Sequence, residues 1–238
     1  MSARFEELAW ARTPIGDVSL RRRREPVTGT DVHEVKLGDE FLMSSMFTVS
    51  EEELARRALA RITGTNIRVV VGGLGLGYTA RAVLEDQRVS ELTVIETLQP
   101  VIDWHQEHLV PLGEQLTTDP RCRLLHGDFF AMSRDGGFHS DPVAIPVDAI
   151  IVDIDHSPRH LLADDSTSFY QPSGTQALAR LLRPAGVYAL WSNDPPDESY
   201  LEMLRPEFTD VHADIVTFPN PLQGGQSTST VYLATRPA

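Results

Sequence analysis

Residues 67–77 decide the fold, and they read IRVVVGGLGLG. The run opens with Ile67–Val71, a short and mostly β-branched segment typical of a strand buried on both faces. A glycine-rich loop follows directly, and a helical pattern begins after it. Glycine lets a ligand approach the backbone closely, and the free N–H groups of a helix start attract anions. The run therefore predicts a nucleotide or nucleoside site, with four binding residues: Gly72, Gly73, Gly75 and Gly77.

Beyond the loop, strand and helix patterns alternate along the chain. Apolar strands are predicted at Leu92–Glu96, Cys122–His126, Asp148–Val152 and Val187–Trp191. A closing antiparallel pair is predicted at Val211–Phe218 and Thr230–Ala234, on either side of the turn Pro219–Thr228. Such alternation indicates an α/β protein with helices on both faces of the sheet. We expect a Rossmann-like fold with a mainly parallel, seven-stranded sheet.

The first 49 residues have β character without that alternation. Asp17–Arg24 and His33–Met43 flank a turn-rich segment, which indicates a small β-hairpin. A helix is predicted to start at Ser50, with Glu53 completing a capping box. The chain thus divides into an N-terminal hairpin region, 1–49, and a Rossmann-like domain, 50–238.

Composition limits the class of partner. The 238 residues carry a formal net charge of −13, which argues against nucleic acid or an anionic membrane and suits a cationic or neutral small molecule. A single cysteine, Cys122, excludes an intrachain disulfide. No apolar run has the length of a signal peptide core or a membrane span, so we expect a cytoplasmic protein.

Acidic residues end the second and third core strands. Glu96 lies a little over twenty positions beyond the glycine loop, where a carboxylate can accept both hydroxyls of a ribose. It also argues against NADP, because a 2′-phosphate would be repelled. Asp128 follows the next strand and can accept the exocyclic amine of an adenine. The glycine loop, the carboxylate for the ribose and the carboxylate for the adenine together predict an adenosyl ligand.

The fourth strand ends in a polar loop that reads DIDHSP from residue 153. Asp153, Asp155 and His156 are the predicted catalytic residues, because carboxylates and an imidazole can orient or deprotonate a nucleophile. Alternatively, Asp153 only binds the amino end of the donor, and His156 only packs in the loop. A metal is disfavoured because the three side chains are too close in sequence for a loop to wrap them around an ion.

Together these features resemble the spermidine synthase-like branch of the class I S-adenosylmethionine-dependent methyltransferase superfamily. The resemblance covers most of the chain, from the N-terminal hairpin to the loop at Asp153. It implies donor binding by Gly73, Gly75, Glu96 and Asp128, and activation of an amine by Asp153. It also implies a homodimer built partly on the N-terminal hairpin.

The sequence departs from the aminopropyltransferases of that branch at three places. Gly75 stands where their glycine loop carries an aspartate for the amino end of the donor. The loop that opens at Asp153 is one residue longer than theirs. The positions of their polyamine pocket correspond to Phe47, Arg56 and Arg57, and two arginines would repel a diamine.

The main hypothesis from the sequence is therefore a methyltransferase that uses S-adenosylmethionine, without a metal, on a small molecule. The first alternative is a polyamine aminopropyltransferase that uses decarboxylated S-adenosylmethionine on an amine, with Asp155 and Glu52 among the acids of its pocket. The second alternative is an adenosyl-binding protein without catalytic activity.

Overall fold

The structure, a computed structural model, describes residues 5–138, 145–162, 164–222 and 224–238. Gln223, within the predicted closing turn, lies outside the described residues.

A seven-stranded sheet forms the centre of the molecule. Its spatial order is β10-β11-β9-β8-β5-β6-β7, with β5 to β9 parallel and the β9–β11–β10 edge antiparallel. The predicted mainly parallel sheet of seven strands is confirmed. Its strands are β5 Ile67–Gly72, β6 Val89–Glu96, β7 Cys122–His126, β8 Val147–Val152, β9 Leu182–Ser192, β10 Thr209–Asn220 and β11 Gly225–Thr235.

The order of these strands creates the place for a site. The chain runs outward from β5 to β6 and β7, then returns to the other side of β5 as β8. The loops after β5 and β8 therefore diverge to opposite faces and leave a crevice at the carboxyl ends of the two strands. Ligands of open α/β sheets bind at such a switch point.

Seven helices flank the sheet in the described part of the chain. They are α1 Val49–Ala60, α2 Tyr78–Glu85, α3 Gln99–Gln106, α4 Gly113–Thr118, α5 Phe129–Arg134, α6 Pro172–Leu181 and α7 Glu198–Leu204, and a 3₁₀ helix spans Asp164–Tyr170. Helix α1 starts earlier than predicted, because Thr48 is the residue before its first turn and no side chain caps that end. The predicted capping box at Ser50 is wrong, since Ser50 lies inside the helix and is buried.

The N-terminal region is an antiparallel sheet of four strands in the order β1-β2-β3-β4. The predicted hairpin is present as β2 and β3, and two further strands extend it. The bounds are β1 Phe5–Thr13, β2 Gly16–Arg24, β3 Asp31–Leu37 and β4 Glu40–Ser44.

Core packing explains the strand pattern that the sequence displays. In β5, Val69 and Val71 pack with α1, α2 and the N-terminal sheet, whereas Val70 packs on the opposite face with Phe129 and Phe169. Both faces of the strand are therefore covered, which is why its residues are continuously apolar. No helix in the described residues has both the length and the apolar character needed to cross a membrane.

Candidate active site

A cavity of about 260 Å³ opens at the carboxyl ends of β5, β6, β7 and β8. The N-terminal sheet covers one side of it through Val35, Leu37, Leu42 and Met43. All of the predicted site residues except Gly72 and Gly77 line this cavity. The structure therefore brings together residues that are as far apart in the chain as Gly73 and His156.

The glycine loop has backbone φ angles that would be strained for residues other than glycine. Gly73 has a φ of 92°, Gly75 of 48° and Gly77 of 90°. A side chain at position 73 would overlap the carbonyl oxygen of Asp153, and one at position 77 would come within 2.5 Å of Leu116. The glycines are thus required both for the turn and for the close packing of β5 against the loop after β8.

Glu96 is only 9% exposed, and both of its carboxylate oxygens accept backbone hydrogen bonds. The N–H of Leu74, in the glycine loop, donates to Oε2 at 3.0 Å, and that of Leu98 donates to Oε1 at 2.9 Å. Burial raises the pKa of Glu96, whereas these N–H groups lower it. Backbone N–H groups of Gly75 and Thr97 also lower its pKa, so the carboxylate is held by backbone on both sides. The binding of a ribose by Glu96 stays a prediction.

Asp128 is the residue before α5 and caps that helix. Its Oδ1 accepts the N–H groups of Phe130 and Ala131, at 2.9 and 3.1 Å. This arrangement fixes the carboxylate at the edge of the cavity beside Gly127. Oδ2 is the oxygen that remains for the predicted contact with an adenine.

Asp153 lies at the end of β8, beside the start of α2. The hydroxyl of Thr79 donates to its Oδ2 at 2.6 Å. Burial raises the pKa of Asp153, and the Thr79 hydrogen bond opposes this in part. A carboxylate whose pKa is raised towards neutrality is suited to accept a proton from a substrate.

Glu51 is a cavity residue that the sequence hypothesis missed. It lies in the first turn of α1 and lines the cavity, whereas its neighbour Glu52, which the hypothesis chose, does not. Glu52 instead pairs with Arg56 and Arg81. Burial, followed by the negative charge of Asp153, raises the pKa of Glu51. The position of the true helix start would have been needed to choose between the two residues.

Asp155 is held away from the open part of the cavity. It is 1% exposed, its Oδ1 accepts the N–H of Leu162 at 2.8 Å, and its Oδ2 accepts the hydroxyl of Tyr170 at 2.8 Å. These bonds tie the start of the loop that follows β8 to Leu162, farther along the same loop, and to Tyr170 in the 3₁₀ helix. A catalytic role for Asp155 stays a prediction, and its visible contacts are those of a loop anchor.

His156 faces the N-terminal sheet. Its Nε2 lies 3.2 Å from Oε1 of Glu40, in the first position of β4. Asp153, Asp155 and His156 therefore contact three different partners: Thr79, Tyr170 and Glu40. The catalytic role of His156 also stays a prediction.

Two further residues shape the cavity and were absent from the sequence hypothesis. Met43 lies over the glycine loop, where its Sδ accepts the N–H of Leu76 at 2.7 Å. Trp191, in β9, lines the cavity, and its buried indole N–H has no partner among the described residues. Neither residue belongs to a motif that sequence analysis would single out.

The two arginines expected in the acceptor pocket lie outside the cavity. Arg56 pairs with Glu52 and Glu85, and Arg57 pairs with Glu53 and Asp214. The expectation that they repel a diamine is wrong, because the helix directs them away from the cavity and acids neutralise them. Phe47, the third position of the supposed rebuilt pocket, packs against Phe218 with 6.1 Å between ring centroids.

The charge of the cavity is therefore strongly negative. Its described lining contains no Lys or Arg, and five of its side chains carry carboxyl groups: Glu51, Glu96, Asp128, Asp153 and Asp155. A cationic ligand would be attracted to this site, and a ligand carboxylate would find no cation to pair with.

Comparison with known proteins identifies relatives in sequence and in fold. No protein-family model matches the chain. The sequence is 28% identical over 165 residues to a polyamine aminopropyltransferase from Prochlorococcus marinus (strain MIT 9313), covering 69% of this chain and 50% of that protein. The chain thus spans half the length of this relative.

Two solved structures share the fold. The spermidine synthase from Thermotoga maritima superposes with a TM-score of 0.71 at 17% identity, covering 96% of this chain and 72% of that one. A spermidine synthase in complex with the transition state analogue AdoDATO gives a TM-score of 0.72 at 17% identity, covering 96% and 73%.

The main hypothesis from the sequence, a small-molecule methyltransferase, is wrong. The relatives in sequence and in fold bear the names of aminopropyltransferases and spermidine synthases, which favours the first alternative. One of the three departures that led to this hypothesis was the pair of arginines, which do not line the cavity. The chain has the Rossmann-like fold of the spermidine synthase-like branch of the class I S-adenosylmethionine-dependent methyltransferase superfamily, as its glycine loop and acidic strand ends predict.

Proposed function

We propose that the protein is a polyamine aminopropyltransferase, which moves an aminopropyl group from decarboxylated S-adenosylmethionine to an aliphatic amine. One observation carries this proposal: an adenosyl-type glycine loop opens into a cavity that is rich in carboxylates and has no Lys or Arg in its described lining. Both substrates are cations, so the sign of the cavity suits each of them.

The donor would lie across the carboxyl ends of β5, β6 and β7. Gly73 and Gly75 allow the donor to approach the loop, Glu96 accepts the ribose hydroxyls, and Asp128 accepts the adenine amine. Intact S-adenosylmethionine would bring its own carboxylate towards Glu51 and Asp153, where the described lining offers no Lys or Arg to balance it. The cavity therefore favours the decarboxylated donor over the intact one.

Asp153 is the residue that we assign to proton transfer. The amine nitrogen of the acceptor attacks the aminopropyl carbon that is bonded to the donor sulfonium, and an N–C bond forms. The C–S bond breaks, its electron pair stays on sulfur, and methylthioadenosine leaves. The proton from the attacking nitrogen goes to Asp153, through Oδ1, because Thr79 already donates to Oδ2. Holding the two substrates in line supplies much of the rate.

The test is an assay of the purified protein with decarboxylated S-adenosylmethionine and putrescine. We expect spermidine and methylthioadenosine to form in equal amounts. Asp153→Asn should lower turnover by roughly 100-fold or more, because an amide cannot accept the proton. Asp135→Asn, an exposed carboxylate beside Arg134 and outside the cavity, is the matched control and should have wild-type turnover.

Two results would contradict the proposal. One is the absence of product with putrescine and longer diamines from a protein that binds methylthioadenosine. The other is wild-type turnover by the Asp153→Asn variant.

The homodimer implied by the resemblance and the cytoplasmic location expected from the sequence stay predictions. The division of the chain into two regions at residue 49 also stays a prediction.

A further inference from the structure

We propose that Glu51 is the donor-specificity residue of this site: beside Asp153, it binds the ammonium of the donor's aminopropyl tail and excludes a donor that keeps its carboxylate. This inference rests on the proposed function and assigns a role to a residue that the sequence did not indicate.

The position of Glu51 distinguishes it from the acids next to it. Helix α1 packs against α2, β8 and β9, and its first turn reaches the cavity. Of the three consecutive glutamates, only Glu51 lines the cavity. Glu52 and Glu53 pair with arginines on the outer side of the helix. The hydroxyl of Ser50 donates to Oε2 of Glu51 at 3.1 Å, and the backbone N–H of Glu51 itself also lowers the pKa of this carboxyl group.

The glycine loop supplies no acid of its own at the tail end of the donor, because Gly75 stands there. A Cβ at position 75 would overlap Sδ of Met43, so any side chain there would displace the cover of the loop. Met43 also receives the N–H of Leu76. An acidic group for the tail must therefore come from another element, and α1 supplies one.

A cation bound between Glu51 and Asp153 would balance their charges. Both carboxyl groups line the cavity, and the negative charge of Asp153 acts on Glu51. No Lys or Arg lines the cavity in the described residues, and Arg81, on α2, pairs with Glu52 and Glu85 instead. Two half-buried carboxylates without a counterion are costly, and an ammonium offsets both. Burial raises the pKa of each group, and the charge of Asp153 raises that of Glu51 further.

The ammonium at the end of the donor's tail is the cation that fits between Glu51 and Asp153. Glu51 lines the cavity together with Gly73, Gly75 and Tyr78, which belong to the donor loop and the start of α2. The sulfonium of a donor bound at this loop carries a three-carbon tail that ends in the ammonium. In the intact donor, the same tail would carry a carboxylate into contact with the two acids.

Binding of three adenosyl probes by titration calorimetry separates these contributions. Methylthioadenosine has no tail, decarboxylated S-adenosylhomocysteine has a tail with an ammonium, and S-adenosylhomocysteine adds a carboxylate. We expect the wild-type protein to bind the decarboxylated probe most tightly and S-adenosylhomocysteine most weakly. Glu51→Gln should weaken the decarboxylated probe roughly tenfold or more, because a charge-assisted hydrogen bond is lost. The affinity of the Glu51→Gln variant for methylthioadenosine should change less than about twofold.

The control variant is Glu53→Gln, on the same helix but outside the cavity, which should bind all three probes like the wild type. Equal binding of the decarboxylated probe by Glu51→Gln and wild type would overturn the inference alone. An equal loss of affinity for methylthioadenosine, the probe without a tail, would also overturn the inference, since that result points to a structural role. A raised KM for putrescine with unchanged donor binding would move Glu51 to the acceptor and overturn it too. A wild-type protein that binds none of the probes would instead overturn the proposed function.

Discussion

The cavity has two halves whose polar groups are satisfied in different ways. In the adenosyl half, formed by the glycine loop, Glu96 and Asp128, backbone N–H groups already bind the carboxylates. In the acidic half, formed by Glu51 and Asp153, the carboxylates receive only the hydroxyls of Ser50 and Thr79 from other side chains and repel one another. The first half is complete without a ligand, whereas the second lacks a cation.

The first half therefore depends on backbone geometry, whereas the second half depends on charge balance. In the adenosyl half, backbone N–H groups of the glycine loop, of the turn after β6 and of α5 fix the two carboxylates. The acidic half joins α1 to β8, which are distant in the chain, and depends on the ligand for its charge balance. Changes in the first half should therefore affect folding and binding together, and changes in the second half should affect them in opposite directions.

The largest effect is expected from Gly73→Ala. The methyl group would overlap the carbonyl of Asp153, and φ at this position is 92°. We expect a loss of about 3 kcal/mol in the free energy of unfolding, together with loss of methylthioadenosine binding. Urea unfolding and calorimetry measure the two quantities.

Gly136→Ala provides the matched control for that change. Its φ is 96°, but nothing lies within 4 Å of the added methyl group. It should cost only about 1 kcal/mol from backbone strain and leave binding intact. Equal losses in the two variants would mean that the close approach of the glycine loop to β8 has no energetic importance.

A smaller effect on stability is expected from Glu96→Gln. One of the two N–H groups that now face a carboxylate would face an amide NH₂ instead. We expect a loss of about 1–3 kcal/mol in unfolding free energy and weaker binding of methylthioadenosine. Glu91→Gln, exposed on the same strand, should change neither. A Glu96→Gln variant with wild-type stability would show that the buried carboxylate is replaceable by any acceptor.

The acidic half should make the empty protein less stable as pH rises. Burial and the charge of Asp153 raise the pKa of Glu51 from 4.5 to about 8. The folded protein thus holds a proton that the unfolded chain has released, and stability falls as pH increases across that interval. Glu51→Gln should flatten this fall and be more stable than the wild type by about 1–2 kcal/mol at pH 8. Thermal unfolding from pH 5 to 8 measures the difference, and parallel curves for the two proteins would contradict the raised pKa of Glu51.

The smallest effect is expected from Arg56→Gln. Because Arg56 pairs with Glu52 and Glu85 outside the cavity, the KM for putrescine should stay within about twofold and stability should fall by less than about 1 kcal/mol. Steady-state kinetics measures the first quantity. A clearly lower KM would restore the view that an arginine repels the amine.

The adenosyl half could be predicted from the sequence because its geometry is local. A β-branched run, a glycine loop and a helix are contiguous, and Glu96 and Asp128 follow the next two strands at their carboxyl ends. Parallel pairing places those ends at one edge of the sheet, so strand order alone brings the residues together. The same logic correctly placed Asp153 at the edge of the cavity.

The contribution of Glu51 to the acidic half could not be predicted because it depends on where a helix begins. A shift of one residue along α1 changes which glutamate faces the cavity, and the start at Val49 selects Glu51 over Glu52. The same rotation directs Arg56 and Arg57 outward. Met43 and Trp191 enter through tertiary packing of β4 and β9, which no local pattern records.

The sulfur of Met43 on the glycine loop links the N-terminal sheet to ligand binding. Since β4 supplies an acceptor for the N–H of Leu76, the sheet cannot swing away without exposing that amide to solvent. A ligand that holds the loop should therefore slow amide hydrogen exchange in β4 as well as in β5, although β4 lies in a separate sheet. Opening of the cover and release of the ligand would then be one coupled event.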